Sequence, residues 1–161
     1  YSQFNFASNT VLLPNLYGPG DHYGDDSNHV IPALIERFYN AKMNNLPEVI
    51  VWGNGSAIRE FLYIDDASSG LLELMLNYDE VLPINLSSQD SLTIKELTEI
   101  ISEEIKFSGK IIWDESKPEG APIKKSDNTL VSSTNWKPKT KIIDGIRKTI
   151  HDFESRYVSM N

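Results

Sequence analysis

The sequence predicts an α/β fold in which short strands alternate with helices and pair mostly in parallel. Three observations lead there. The apolar run Asn9-Thr-Val-Leu-Leu13 stops at Pro14 and the turn-rich Tyr17-Gly-Pro-Gly-Asp21, as a buried strand feeding a loop does. Ile31, Leu34, Ile35 and Phe38 recur at helical spacing, which marks one apolar helix face. Thr93-x-x-Glu96 stands just ahead of Leu97, Ile100, Ile101 and Ile105, a capping box opening an amphipathic helix.

The elements follow in chain order. After the first strand, a polar Gly/Asp-rich loop runs from Gly18 to Asn28, and a helix from His29 to about Asn44. Pro32 is tolerated there because the first turn has no amide bond to lose. Glu48-Val-Ile-Val-Trp52 reads as a strand, Asn54-Gly55 as a turn, and Glu60-Phe-Leu-Tyr-Ile64 as extended. Asp65 and Asp66 supply capping and negative charge to a helix with Ala67, Leu71, Leu74 and Met75 along one face. Pro83-Ile-Asn-Leu86 and Lys110-Ile-Ile-Trp113 are further strands. A lysine-bearing loop, a helical turn after Asp127, Trp136-Lys-Pro138 and a last helix over about Ile142 to Tyr157 complete the chain. No internal repeat or linker divides it, so the sequence reads as one folding unit or part of a larger one.

Composition narrows the function. The chain has 161 residues, 40% hydrophobic and 24% charged, enough for a real core. Its 23 acidic and 15 basic side chains give a net charge of −8, a field that disfavours nucleic-acid backbones. No apolar run reaches membrane-spanning length, and no charged-then-apolar leader opens the chain. Cysteine is absent, so these residues offer no disulfide, thiolate ligand or Cys nucleophile. A cytoplasmic setting without nucleic-acid or membrane partners is the expectation.

Four segments could carry chemistry. Asn15-Leu-Tyr-Gly-Pro19 follows a strand, where open α/β sheets bind ligands; its Gly and Pro also simply shape a loop. Asp21-His-Tyr-Gly-Asp-Asp-Ser-Asn-His29 lacks metal-ligand spacing, so no metal is expected. His29, at a helix mouth, is placed to exchange a proton near neutral pH, or merely to begin the helix. Trp52, the Gly53-Asn-Gly55 turn and Arg59 suit a stacked base and a phosphate. Their ordinary reading is a core indole and an ion pair of Arg59 with Glu60 or Asp66. Lys117 to Lys125 holds three lysines, fit for an anion or for plain solvation.

Taken together, these segments resemble one family. Pro14-Asn-Leu-Tyr-Gly-Pro19, Ser27-Asn-His29-Val-Ile-Pro-Ala-Leu-Ile-Glu-Arg37 and Pro47-Glu-Val-Ile-Val-Trp52-Gly-Asn-Gly55 are similar to the GDP-L-fucose synthases. So are Arg59-Glu-Phe-Leu-Tyr-Ile-Asp-Asp66, Ser116-Lys-Pro-Glu-Gly-Ala-Pro-Ile-Lys124, Asp127 and Trp136-Lys-Pro138. The resemblance covers nearly the whole chain. It implies the C-terminal part of a Rossmann-like extended short-chain dehydrogenase/reductase, residues 1–161 holding the last sheet strands and the smaller mixed α/β substrate-binding domain.

It also implies a cofactor, NADP, and a substrate, GDP-4-keto-6-deoxymannose, epimerised at two carbons and reduced by NADPH. Leu13, Pro14, Asn15 and Leu16 would line the cofactor, with His29 beside it as the acid/base of epimerisation. Arg37, Trp52 and Arg59 would hold the nucleotide and diphosphate, and Glu119 and Lys124 would close the substrate side. The family resemblance further implies a homodimer. No Tyr-x-x-x-Lys occurs in this sequence, so the hydride machinery is expected upstream and the chain alone is expected to be inactive. Departures from the family are Ser87-Ser88-Gln89 for a glycine pair, Ile123 for an arginine, and Lys125-Ser126 for an apolar pair. Another nucleotide-sugar epimerase or dehydratase, and a non-catalytic nucleotide-binding module, stay open as alternatives.

Overall fold

The structure, a computed structural model, describes residues 8–24, 29–117 and 120–157. Strands β1 (Val11–Leu12), β2 (Asn15–Tyr17), β3 (Glu48–Trp52) and β4 (Ile58–Tyr63) are interleaved with helix α1 (Val30–Met43). Helix α2 (Ile64–Asn77), β5 (Ile84–Asn85), β6 (Ser91–Thr93) and α3 (Ile94–Ile105) follow. The chain continues through β7 (Lys110–Asp114), β8 (Ile123–Lys124), the single turn α4 (Thr129–Ser132) and α5 (Ile142–Tyr157). Pairing is parallel for β1 with β5, β2 with β4, β3 with β7 and β4 with β8, and antiparallel for β4 with β6. The molecule is α/β, as its alternating pattern predicts.

The first strand departs from expectation. Only Val11–Leu12 pairs, and Leu12 and Leu13 are exposed rather than buried. Its single neighbour among the described residues is β5, which covers one edge and leaves the rest bare. Nor does a loop begin at Pro14. Proline has no N–H for a ladder, so pairing lapses there and resumes in β2, against β4 instead of β5. The chain thus changes sheets at Pro14 and opens a crevice beyond it.

Helix α2 also differs. Ala67, Gly70 and Leu74 face inward, while Leu71 and Met75 stand in solvent. Its N-cap is Tyr63, without a side-chain bond. Buried Asp66 instead accepts the Lys139 and Thr140 amides, fixing the approach to α5. The Thr93–Glu96 capping box forms as predicted, with reciprocal bonds of 2.8 and 3.1 Å.

Two apolar clusters result. One joins α1, α3 and α5 to β3 and β4 through Phe38, Ile35, Val49, Phe61, Leu97, Ile101, Ile146 and Phe153. The other packs Leu62, Ala67, Leu74, Ile84, Leu86, Val131 and Trp136. Trp136 donates its Nε1–H to Ser69, so its buried indole leaves no polar atom unpaired. Among the described residues no helix is long and apolar enough to cross a membrane.

Candidate active site

The site lies where β2, β3 and β4 end or pass beside the N-terminus of α1. A hollow of about 290 Å³ is lined by Asn15, His29, Val30, Trp52, Gly53, Gly55, Ala57, Arg59 and Ile94. Four residues expected from sequence therefore meet: Asn15, His29, Trp52 and Arg59. A smaller hollow of about 210 Å³, bounded by Leu16, Tyr17, Gly18, Pro19, Gly20, Asp21 and Ile64, shares His29. A wider groove of about 750 Å³ runs between α1 and β3, bears Arg37, and shares Trp52. The three join into one trough, from Leu16 past His29 and Trp52 to Arg37.

Local structure explains each placement. His29 is the N-cap of α1 with extended backbone, and its side chain makes no capping bond, so the exposed imidazole sits beside unpaired helix amides. Its loop is held from two sides. Asp152 of α5 accepts the Gly20 amide at 3.0 Å, Arg156 donates to the Asp21 carbonyl at 3.1 Å, and Glu36 accepts the Gly24 amide. Asn15 is fixed by donation to the Glu60 carbonyl across the β2–β4 pair. Gly55 has φ +78°, and a Cβ there would come within 2.7 Å of the Trp113 ring; only glycine fits this turn.

Trp52 is not a core residue: it is 60% exposed, because alternation along β3 turns Val49 and Val51 inward and Glu48, Ile50 and Trp52 outward. Lys117 sets its ammonium 5.7 Å from the indole centre, a role the sequence reading missed in a lysine-bearing loop. Arg37 donates to the Ile50 carbonyl at 2.7 Å, so its fork is partly committed to the β3 edge. Arg59 donates to the Ile58 carbonyl. The carboxylates first considered as its partners serve loops: Glu60 is buried and accepts the Ser126 amide, and Asp66 holds residues 139 and 140.

Lys124 is the β8 partner of Arg59 in register, but unlike Arg59 it lines none of the three hollows. Leu13 and Pro14 lie outside the three hollows. Glu119, together with Ser27 and Asn28, falls outside the described residues. Burial, then the nearby Asp66, pushes the Tyr17 hydroxyl well above the ordinary phenol range, so it stays protonated at neutral pH and is no base. Asp114, in the wide groove, is held below the usual carboxylate range by the Ser116 hydroxyl and amide. The trough therefore offers an exposed imidazole, an exposed aromatic face and the side chains of Arg37 and Arg59.

Sequence alone did not foresee Ala57 and Ile94 as walls of the central hollow. The Gly-rich turn and the capping box, which place these two, were the available signal.

Comparison with known proteins gives the family. The model of the NAD dependent epimerase/dehydratase family matches residues 2–86, more than half of the chain. The chain belongs to that family. It is 40% identical over 157 residues to a probable GDP-L-fucose synthase 1 of Oryza sativa subsp. japonica, covering 98% of this chain and 48% of that protein. It is 34% identical over 149 residues to a GDP-L-colitose synthase of Yersinia pseudotuberculosis, covering 92% of this chain and 48% of that one. A GDP-L-fucose synthetase structure from Naegleria fowleri bound to NADP superposes with TM-score 0.85 at 31% identity, over 94% of this chain and 48% of that one. The chain spans about half the length of the curated relatives it matches.

Proposed function

We propose that this chain is the substrate-binding part of a GDP-L-fucose synthase, converting GDP-4-keto-6-deoxymannose to GDP-L-fucose once joined to a cofactor-binding half. The observation that carries the reading is the convergence of His29, Trp52 and Arg59 on one hollow. The relatives' names support it. In this reading Trp52 stacks the base, and Arg59 with Lys124 meets the diphosphate, where a guanidinium fork matches phosphate oxygens. His29 gives and takes the protons next to the ketone, the step an exposed imidazole performs near neutral pH.

A dinucleotide fits the trough at one end only. The hollow around Leu16, Gly18 and Ile64 is apolar, and a Cβ on Gly18 would come within 2.5 Å of Ile64. That hollow suits a flat nicotinamide ring beside His29, with Leu16 along its border. When bound, NADPH supplies hydride to the ketone. The residues here orient the sugar and move its protons. A homodimer and a cytoplasmic location belong to the same proposal.

Fusing this chain to the half of the Oryza relative that it does not span tests the reading. With GDP-4-keto-6-deoxymannose and NADPH, GDP-L-fucose is the expected product, and His29→Asn should lower epimerisation about 10²–10³-fold while reduction of the unepimerised ketone persists. Unchanged epimerisation in the variant would leave His29 a purely structural cap. The Yersinia relative supports a second reading, another GDP-sugar epimerase/reductase; turnover of a different GDP-keto sugar with no fucose product would select it.

A further inference from the structure

The end of α5 faces the loop that leads towards His29, and one arginine there ties the two together. Arg156 donates through Nε and Nη2 to Asp152, one turn earlier, and Nη2 also donates to the Asp21 carbonyl. Its guanidinium lies 5.7 Å from the Tyr23 ring centre and 5.9 Å from that of Tyr157. The Asp152 oxygen that takes both Arg156 bonds also accepts the Gly20 amide. Tyr23 packs on Phe153 and Tyr157, and Phe153 in turn meets Tyr39 of α1. Residues 152–157 therefore grip both the loop ahead of His29 and the helix that His29 caps. Gly20, Asp21 and His29 line one hollow, so a shift of the loop changes the imidazole's surroundings directly.

An i, i+4 ion pair on a helix surface ordinarily contributes little. Here both partners also bind backbone 132 and 135 residues away in sequence. The loop is held against a local penalty. The Tyr23 hydroxyl and Asp21 Oδ2 are buried and make no hydrogen bond, and a buried polar atom left unpaired costs about 1–3 kcal/mol. Released from α5, the loop would turn these atoms to water and leave its present place. We infer that Arg156 is a positioning residue, which with Asp152 clamps residues 20–23 against α5 and so sets His29 at the end of the trough. Neither residue lines any of the three hollows, so both act through the loop. The inference rests on the acid/base role proposed for His29.

The fused protein described above tests it, with the His29 ring signals assigned in NMR spectra through His29→Asn. Arg156→Leu should move those signals, whereas Arg147→Leu, which cuts the α5 ion pair to Glu104, should leave them in place. GDP affinity should not change in either variant, because Trp52 and Arg59 are untouched. With GDP-4-keto-6-deoxymannose and NADPH, Arg156→Leu should lower kcat for epimerisation about 10–10²-fold at constant KM, the effect of misplacing a reacting group. Arg156→Lys keeps a donor for the Asp21 carbonyl and should recover part of the rate. Asp152→Asn, a smaller change that weakens the same clamp, should move the same signals and serves if Arg156→Leu does not fold. His29 signals that stay at their parental positions in Arg156→Leu overturn the inference. So do moved signals with a parental kcat, or an equal loss of rate in Arg147→Leu. If the fused protein epimerises nothing, the function proposed above falls, and the ring signals alone decide whether the clamp places His29.

Discussion

At the residue scale, Trp52 separates binding from folding. Its indole is mostly in solvent, bordered by Lys117, and lines two of the three hollows. Truncating it removes little buried area, so stability should hold. Stacking of a base on an aromatic contributes about 1–3 kcal/mol, so Trp52→Leu should weaken GDP binding by roughly five- to a hundredfold, as read by titration calorimetry. Trp52→Phe should recover part of that. A variant that binds GDP as tightly as the parent would show that the base lies elsewhere in the trough. Gln89 makes a different point at the same scale. It takes φ +67°, a left-handed backbone that glycine usually occupies. Its amide is held by donation to Ser132.

Among the elements, α3 gives two clear tests. It ends at Lys106, which caps the helix in left-handed backbone with φ 60° and donates its amide to Glu103 and Ser102. A non-glycine residue in that conformation costs about 1–2 kcal/mol, and glycine is the usual occupant. Lys106→Gly should therefore stabilise the chain by up to about 1 kcal/mol, raising the thermal midpoint by roughly 2–4 °C; a lowered midpoint would mean that the lysine makes a compensating contact. At the other end, the Thr93 amide and then its hydroxyl hold the Glu96 carboxyl below the ordinary range. Because the folded value is lowered, this contribution is complete above the unfolded value near pH 4.3 and fades as pH falls through the folded value. Glu96→Gln should flatten the loss of stability as pH falls below the unfolded carboxyl value, seen in denaturant midpoints. An acid profile identical to the parent's would count against it. Helix α3 was legible because capping and periodicity are local. The partners of Pro14–Tyr17, β6 and β8 were not, because strands of two or three residues have too little pattern to read and depend on distant neighbours. The orientation of α2 was misread for a related reason. Leu71, Leu74 and Met75 all suit a core, and only the packing of Gly70 against Leu86 and Trp136 decides which face turns inward.

For the whole molecule, the two clusters differ in what surrounds them. The first is enclosed by α1, α3 and α5 and by the β3–β7 and β2–β4 pairs, with Tyr23, Tyr39, Phe153 and Tyr157 packed ring against ring. The second lies under α2 and the two-residue β1–β5 pair, beside exposed Leu12, Leu72, Met75 and Leu76. Local opening is easiest where few apolar contacts oppose it and backbone bonds meet solvent. Amides of α2, β1 and β5 should therefore exchange with deuterium before those of α1, α3 and α5 in the isolated chain. The trough spans this boundary, since Leu16 packs on the second cluster while Trp52, on β3, and His29, at the start of α1, belong to elements of the first. Nucleotide binding at Trp52 and Arg59 should then slow exchange in α1 and β3 more than in α2. Uniform exchange across both clusters in the isolated chain would mean that they open as one cooperative unit, and that the small β1–β5 pair is stable without further cover.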